Sequence, residues 1–375
     1  MTYKSYNCSF VPWSLSPDPL DERLDEYLTI CYDRAMYRPI FRITPHLLKL
    51  IVEAGALRSW IEAATVKVHW LPALQVESRA RAAHSSTSIE GNPLTLSQVE
   101  AISRGKSAGA EKADEKEVKN YLAAMRCVER SSRRKLDENM ILRLHSILMK
   151  GLLPEEKCGR YKQKQNYVTD EKGIRVYTPP SPKDTPKLMK ELVGWFNSGE
   201  AAELHSVIVC AVLHHRLVSI HPFSDGNGRL ARALSIWVLY QKGFDTRHIF
   251  SIDEYFADNR KFYYDKIEQA RELDDDLTCW IEYVAQGIVD VLKKTKKRVE
   301  GLRVSSGAGI ILSPRQEEII GLLRDNGPLN VSAIIRRMKV TRSRINQIIQ
   351  PLMRSGIIET RGKGKATFYR LASGR

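Results

Sequence analysis

Between residues 221 and 232 the chain reads His-Pro-Phe-Ser-Asp-Gly-Asn-Gly-Arg-Leu-Ala-Arg, a set of groups able to grip a phosphate and act on it. Gly226 and Gly228 free backbone N–H groups to converge where a helix begins, and converging amides at a helix N-terminus make an anion nest. Arg229 and Arg232 lie three apart on the first turn of that helix and can add forked donors to phosphate oxygens. Asp225 supplies a hard carboxylate oxygen of the kind Mg²⁺ takes, with helix capping as its alternative use. His221 supplies a base whose ordinary pKa is about 6.5. A histidine before proline is ordinarily structural, but the residues that follow His221 turn that reading around. Phe223 carries no such chemistry and reads as a core anchor.

Such a loop needs walls. Apolar helical sequence lies on both sides: Val207, Val209, Ala211, Val212 and Leu213 before it, Leu234, Ile236, Trp237, Val238 and Leu239 after it. A polar loop between buried helices must find partners for its backbone groups. His214 and His215 read as packing residues close to it. Upstream, Asp18-Pro19 starts an amphipathic helix over 18–36, and Thr44-Pro45 starts another to about 54. A helix-forming run from Arg79 stops at Gly91-Asn92-Pro93, which leaves Glu90 at the negative pole of a helix dipole, where a carboxylate wants a cation. Thr95 and Gln98 offer a capping box, with a helix to about 104. Further helices are expected over 114–131, 137–150, 185–197, 201–219, from the loop to about 243, and through 251–271. Residues 159–182 change character. Loose alternation through Tyr167 and Val168, a turn at Thr169–Gly173, resumption at Ile174–Tyr177 and the stop Pro179-Pro180 read as one β-hairpin.

The formal charge is +15, and it is unevenly spread. From Lys293 onward there are 19 Lys/Arg against 5 Asp/Glu, so nearly all the excess sits in the C-terminal segment. Ser305–Gly309 is a linker. Beyond it come a capped helix to Asn326-Gly327, a short helix over 331–338, a longer one from Arg342 to Ser355, and two strands bracketing basic Arg361–Lys365. This is the layout of a winged helix-turn-helix with a basic wing. Arg342, Arg344, Asn346 and Gln347 fall on the exposed face of its recognition helix and Lys363 in the wing, which makes DNA the expected polyanion. A solvated basic face is one alternative, and since winged helices also mediate protein contacts, a protein partner is the other. No run of 18 apolar residues is present and the first residues lack an apolar signal core, so the expectation is a cytoplasmic protein with no membrane partner. The six cysteines form no CxxC pair and read as reduced and buried.

Residues 221–232 match the signature loop of the Fic family, H-P-F-x-D/E-G-N-G-R-x-x-R, at every fixed position. Ser86-x-x-x-Glu90-Gly91 resembles the family's inhibitory-helix motif, and its place ahead of the loop is that of the subclass with an N-terminal inhibitor. The resemblance implies ATP as substrate and Mg²⁺ as cofactor. His221 would take the proton of a target Ser, Thr or Tyr hydroxyl that attacks the α-phosphorus. Asp225 would hold the metal. Gly226, Asn227, Gly228, Arg229, Leu230, Ala231 and Arg232 would hold the phosphates, with Glu90 and Ser86 holding Arg232 away from the γ-phosphate. The hairpin corresponds to the family's flap, which implies contacts at Val168 and Thr169 and main-chain pairing with the target segment; it is longer than expected, and Thr169 stands where glycine is usual. Asn259-Arg260-Lys261-Phe262-Tyr263-Tyr264 resembles the R-x-x-Y-Y segment, which puts Tyr263, with Tyr264, against adenine; core packing is the alternative for Tyr263. Arg271 stands where the family often has asparagine. Gly228, where the kinase-like Doc branch carries lysine, points to AMP transfer.

The implied fold class is mainly α: a helical core with a β-hairpin flap and a C-terminal winged helix-turn-helix. The expected division is an N-terminal helical region 1–110 with its inhibitory helix at about 80–91, a catalytic core 111–298, a linker 299–312 and a winged module 313–375. The expected activity is protein adenylylation, including self-modification, restrained by Glu90. The competing readings are AMP removal by the same residues and a DNA-binding regulator whose helical body senses nucleotide. A homodimer is compatible with all three.

Overall fold

The computed structural model describes residues 37–65, 70–169, 172–305, 314–338, 340–354, 357–362 and 367–372. The helix expected over 18–36 and the wing residue Lys363 lie outside them.

Helix α1 (Pro45–Ala64) starts where the Thr44 hydroxyl accepts the Leu47 N–H at 3.0 Å. It continues past the expected stop near 54, because Ala54 and Ile61 extend one buried face through Gly55. Helix α2 (Leu71–Ile89) begins before Arg79 and ends at Glu90. The Thr95–Gln98 capping box opens α3 (Leu96–Ser103). Then come α4 (Lys112–Ser131) and α5 (Glu138–Met149), the latter capped by Asp137.

The hairpin pairs β1 (Val168–Thr169) with β2 (Arg175–Tyr177) in antiparallel register, Val168 opposite Tyr177. It is shorter than its sequence suggests. Residues 159–166 form no strand, because their polar groups go to the neighbouring loop. The Lys162 N–H donates to the Pro222 carbonyl at 2.8 Å, and Asn166 Nδ2 donates to the His221 and Phe223 carbonyls at 3.2 and 2.8 Å.

After α6 (Thr185–Phe196), the helix expected over 201–219 is divided into α7 (Gly199–Glu203) and α8 (Ser206–Ile220). The break falls at Leu204 and His205, both extended, and the His205 ring accepts the Val207 N–H at 3.3 Å. Helix α9 (Asn227–Gln241) packs against α8, and nearly every residue of the pair is buried. Helices apolar all round belong in the middle of a domain. The stretch expected to be helical over 251–271 is likewise two helices, α10 (Asp253–Asp258) and α11 (Arg260–Glu272). Asn259 leaves the helical region at φ −144° and caps α11 by accepting the Phe262 N–H at 3.0 Å. The long α12 (Thr278–Ser305) lies along α1 and against α8, anchored by buried Trp280, whose indole donates to the Ala211 carbonyl at 2.8 Å.

The C-terminal module runs α13 (Pro314–Asn326), β3 (Leu329–Asn330), α14 (Val331–Met338), α15 (Arg342–Arg354), β4 (Ile358–Arg361) and β5 (Phe368–Leu371). Its antiparallel sheet has the order β3-β5-β4. Ile319, Leu323, Ile334, Ile345, Ile349 and Leu352 form a core of its own. Strand β3, two residues long, is too short to show a period in sequence. Among the described residues no helix is long and apolar enough to cross a membrane.

Candidate active site

Helix α8 ends on His221, whose backbone is left-handed at φ 50° while its N–H still bonds the Leu217 carbonyl at 2.9 Å. That turn directs the chain into the polar loop, which is tied down from three sides. Phe223 is wholly buried and stacks on the His145 ring at 3.7 Å with the planes 9° apart. His145 Nδ1 accepts the Gly159 N–H at 2.9 Å, so Nε2 carries the proton and donates to the Asp225 carbonyl at 2.9 Å. Both polar atoms of the Asn227 side chain are spent on the Phe223 backbone, each at 2.9 Å. Gly226 has φ 79°, and a Cβ there would meet Met149 Sδ at 2.5 Å, so only glycine fits.

The first helical bond of α9 runs from the Leu230 N–H to the Gly226 carbonyl at 3.0 Å. The N–H groups of Asn227, Gly228 and Arg229 therefore precede the ladder, at the positive end of the helix dipole. These three amides are the groups an anion nest would use. The site's makeup differs from the sequence expectation in four places. Leu230 and Ala231 are 0% exposed and belong to the core, and the Leu230 amide is already used. The Asn227 side chain braces the loop through both of its polar atoms. Arg229 is a brace rather than a free donor, with Nη1 on Glu117 Oε1 and Nη2 on Asp225 Oδ1 at 3.1 Å.

Arg232 is wholly buried. Its Nε donates to Ser86 Oγ at 2.7 Å, and Nη2 donates to the Ser86 carbonyl at 2.9 Å and to Glu90 Oε1 at 2.6 Å. Nη1 has no hydrogen-bond partner among the described residues. A Cβ on Gly228 would lie 3.1 Å from that nitrogen and 2.5 Å from Glu90 Oε1. The Glu90 carboxylate thus stands against the mouth of the nest, beside an unspent buried donor. Burial raises the Glu90 pKa, but the Arg232 and Arg229 charges and the Arg232 hydrogen bond outweigh it and hold the carboxyl below its ordinary value. Ser86 and Glu90 sit one turn apart on α2, so one face of that helix reads the same arginine.

His221 Nδ1 lies 3.2 Å from the Val218 carbonyl. A carbonyl only accepts, so Nδ1 carries the proton and Nε2 keeps its lone pair. Burial, joined by the Lys162 and Arg271 charges, lowers its pKa to about 4 against the opposing Val218 bond and Glu90 charge. The ring is a neutral base at pH 7. The Asp225 carboxylate is 57% exposed. Its Oδ1 accepts from the Gly226 N–H and Arg229, leaving Oδ2 unbonded among the described residues. One outward carboxylate oxygen beside a phosphate nest fits Mg²⁺, which keeps waters and shares phosphate oxygens. No group of three or more His, Cys, Asp or Glu able to hold a metal occurs among the described residues.

Tyr263 is 1% exposed, packed with Phe256 and Trp280, its hydroxyl 2.9 Å from His214 Nε2. That is core packing, and of the two tyrosines Tyr264, 39% exposed, is the one with surface to present to a base. His214 also meets Ser235 Oγ at 2.9 Å, a packing role as expected. Val168 and Thr169 lie in β1, with Thr169 exposed. Arg342 and Arg344 are exposed on α15. Sequence reasoning missed His145, Glu117 and Asn166. Each bonds the loop from a distant segment through one or two contacts, and no spacing pattern marks them.

The loop and the C-terminal module both fall within matches to known families. The Fic/DOC family model matches residues 135–239, and a winged helix-turn-helix DNA-binding model matches residues 312–359. Protein adenylyltransferase Fic of Nematostella vectensis is 33% identical over 208 residues, covering 54% of this chain and 45% of that one. The Drosophila melanogaster protein of the same name is 34% identical over 165 residues, 43% of this chain and 32% of that one. This chain thus spans less than half the length of these curated relatives. Among solved structures, a Fic family protein from Desulfovibrio desulfuricans superposes with a TM-score of 0.67 at 26% identity, covering 90% of this chain and all of that one. Fic-1 from C. elegans superposes with a TM-score of 0.55 at 25% identity, covering 68% of this chain and 71% of that one.

Proposed function

We propose that this chain, which carries a Fic/DOC domain and a C-terminal winged helix-turn-helix, is an ATP-dependent protein adenylyltransferase restrained by its own Glu90. The observation that carries this reading is the Glu90 carboxylate seated against the nest, paired with Arg232 beside Gly228. The site already holds an anion where a nucleotide phosphate would go.

In this reading the α9 amides of Asn227, Gly228 and Arg229 receive phosphate oxygens of ATP. When Glu90 swings out, Arg232 Nη2 is freed to join Nη1 on the γ-phosphate. His221 Nε2 takes the proton of a Ser, Thr or Tyr hydroxyl, on another protein or on this one. The hydroxyl oxygen bonds to the α-phosphorus, the bond from that phosphorus to the bridging oxygen breaks, and pyrophosphate leaves. Mg²⁺, held by Asp225, would neutralise charge on the phosphates. Preorganised donors in a largely buried site contribute most to such a reaction, and the base adds about 10²–10⁴-fold. Exposed β1 and β2 would hold the target segment by main-chain pairing. The absence of a membrane-crossing helix among the described residues is compatible with work in the cytoplasm.

The test is label transfer from ATP marked at the α-phosphate, with Mg²⁺, to wild type, Glu90→Gly and Glu90→Gly/His221→Ala. Label on Glu90→Gly alone supports transfer, base and inhibitor together. No label in any variant redirects the assignment to AMP removal, tested on a pre-adenylylated protein.

A second role has its own observation. The exposed Arg342, Arg344, Asn346 and Gln347 form one polar face of α15, in a module whose family model is described as DNA-binding. We propose that this face enters a DNA groove, which would place the enzyme on nucleic acid.

A further inference from the structure

Arg271 lies outside the loop, and nothing in the mechanism above uses it. Its guanidinium carbon stands 3.6 Å from the centroid of the Tyr177 ring, the last residue of β2. Its Nε donates to Ser219 Oγ at 3.2 Å, its Nη1 to Glu268 at 2.9 Å, and its Nη2 to the Val218 carbonyl at 3.2 Å. That carbonyl is the one that orients the His221 ring, also at 3.2 Å. The Tyr177 hydroxyl donates to the Ser219 carbonyl at 2.9 Å, so hairpin, arginine and the end of α8 close a ring of contacts.

We propose that Arg271 is a positioning residue that seats the root of the hairpin on the catalytic histidine, through the Tyr177 face and the Val218 carbonyl it shares with His221. Two consequences follow from the geometry. The arginine and histidine nitrogens are each one hydrogen bond from the same oxygen, so a fixed positive charge stands close to the ring and disfavours a second proton there. The same cation holds Tyr177 by its face, and with it the register of the hairpin above the base. The charged groups facing His221 from other elements are Lys162 on the segment before the hairpin and Glu90 at the end of α2, with opposite effects. Glu268 pairs with Arg271 without cancelling its contact to Val218.

This inference rests on the adenylyltransferase reading only for its consequence in rate, and its test does not need the rate. The measurement is an NMR pH titration of the histidine ring carbons in wild type, Arg271→Gln, Arg271→Lys and Tyr177→Leu, with His221→Ala assigning the signal. Arg271→Gln is expected to raise the His221 midpoint by about one pH unit, the scale of a nearby like charge. Arg271→Lys is expected to keep it near wild type. Tyr177→Leu is expected to leave the midpoint in place and to speed proteolysis within 168–177. In the Glu90→Gly background the acid limb of label transfer should move with the NMR midpoint. An unchanged His221 midpoint in a folded Arg271→Gln protein overturns the proposal. A moved midpoint with no label in any variant would leave the proposal standing and remove the enzyme assignment instead.

Discussion

The Glu90–Arg232 pair makes an unusual demand on stability. Arg232 is wholly buried, and Glu90 is its carboxylate partner at 2.6 Å. Breaking a buried pair by removing one partner costs about 3–5 kcal/mol, because the other charge is left in a low-dielectric site. Here the Glu90 side chain is 27% exposed and Arg232 keeps both bonds to Ser86, so about 2–3 kcal/mol is the expected cost of Glu90→Gly. That loss should be recoverable by the substrate. With the internal anion gone, ATP at about one hundred times its Kd would return about 2.7 kcal/mol. If Glu90 occupies the place of a phosphate, as proposed, ATP must first displace it in wild type and is expected to return much less. For a body of this size each kcal/mol is about 2 °C in Tm. Thermal unfolding followed by intrinsic fluorescence should therefore find Glu90→Gly several degrees below wild type without nucleotide and close to it with ATP and Mg²⁺. Equal ATP-induced shifts in the two proteins would refute the idea that Glu90 and ATP phosphate compete for one place.

Three other outcomes are expected. His145→Ala removes the ring stacked on Phe223, one bond to the loop at Asp225 and one to Gly159, and should lower stability by about 2–4 kcal/mol in urea denaturation while weakening label transfer in the Glu90→Gly background. Burial lowers the pKa of His145 and His221 to about 4, of His215 to about 3 and of His214 well below the ordinary value. The unfolded chain therefore takes up these protons first. Stability should be full above pH about 6.5 and fall below it by about 1.4 kcal/mol per pH unit for each such histidine, opposed in part by Asp253, whose carboxyl burial raises to about 6. Urea midpoints between pH 7.5 and 5 check this. Arg342→Glu/Arg344→Glu should flatten the log–log salt dependence of duplex binding by about two units in a fluorescence anisotropy titration.

The loop was legible because its chemistry is consecutive: twelve residues in a row state glycine freedom, donors, acid and base. The pairing of Glu90 with Arg232, 142 residues apart, has no local signal beyond a carboxylate at a helix end. What could not be read were the single contacts. His145, Glu117 and Asn166 each meet the loop through one or two bonds, often to backbone carbonyls, and a backbone carbonyl leaves no residue type to recognise. The helix breaks at Leu204–His205 and Asn259 carry neither glycine nor proline. The resemblance implies Asn227 as a phosphate ligand, but its side-chain amide also suits a tight loop that must bond itself, and the structure uses it there.

Asn166 and Lys162, just before the hairpin, hold the carbonyls of Ile220, His221, Pro222 and Phe223. The edge proposed to receive a peptide and the histidine proposed as base are thus joined by hydrogen bonds from residues just before the hairpin. Such a connection works as a ruler. A strand laid on the hairpin alternates its side chains between faces, so a slip of one residue would turn a hydroxyl away from His221 and a slip of two would present its neighbour. The choice of which serine, threonine or tyrosine is modified would then be made by register along a backbone and need no pocket shaped to the side chain itself.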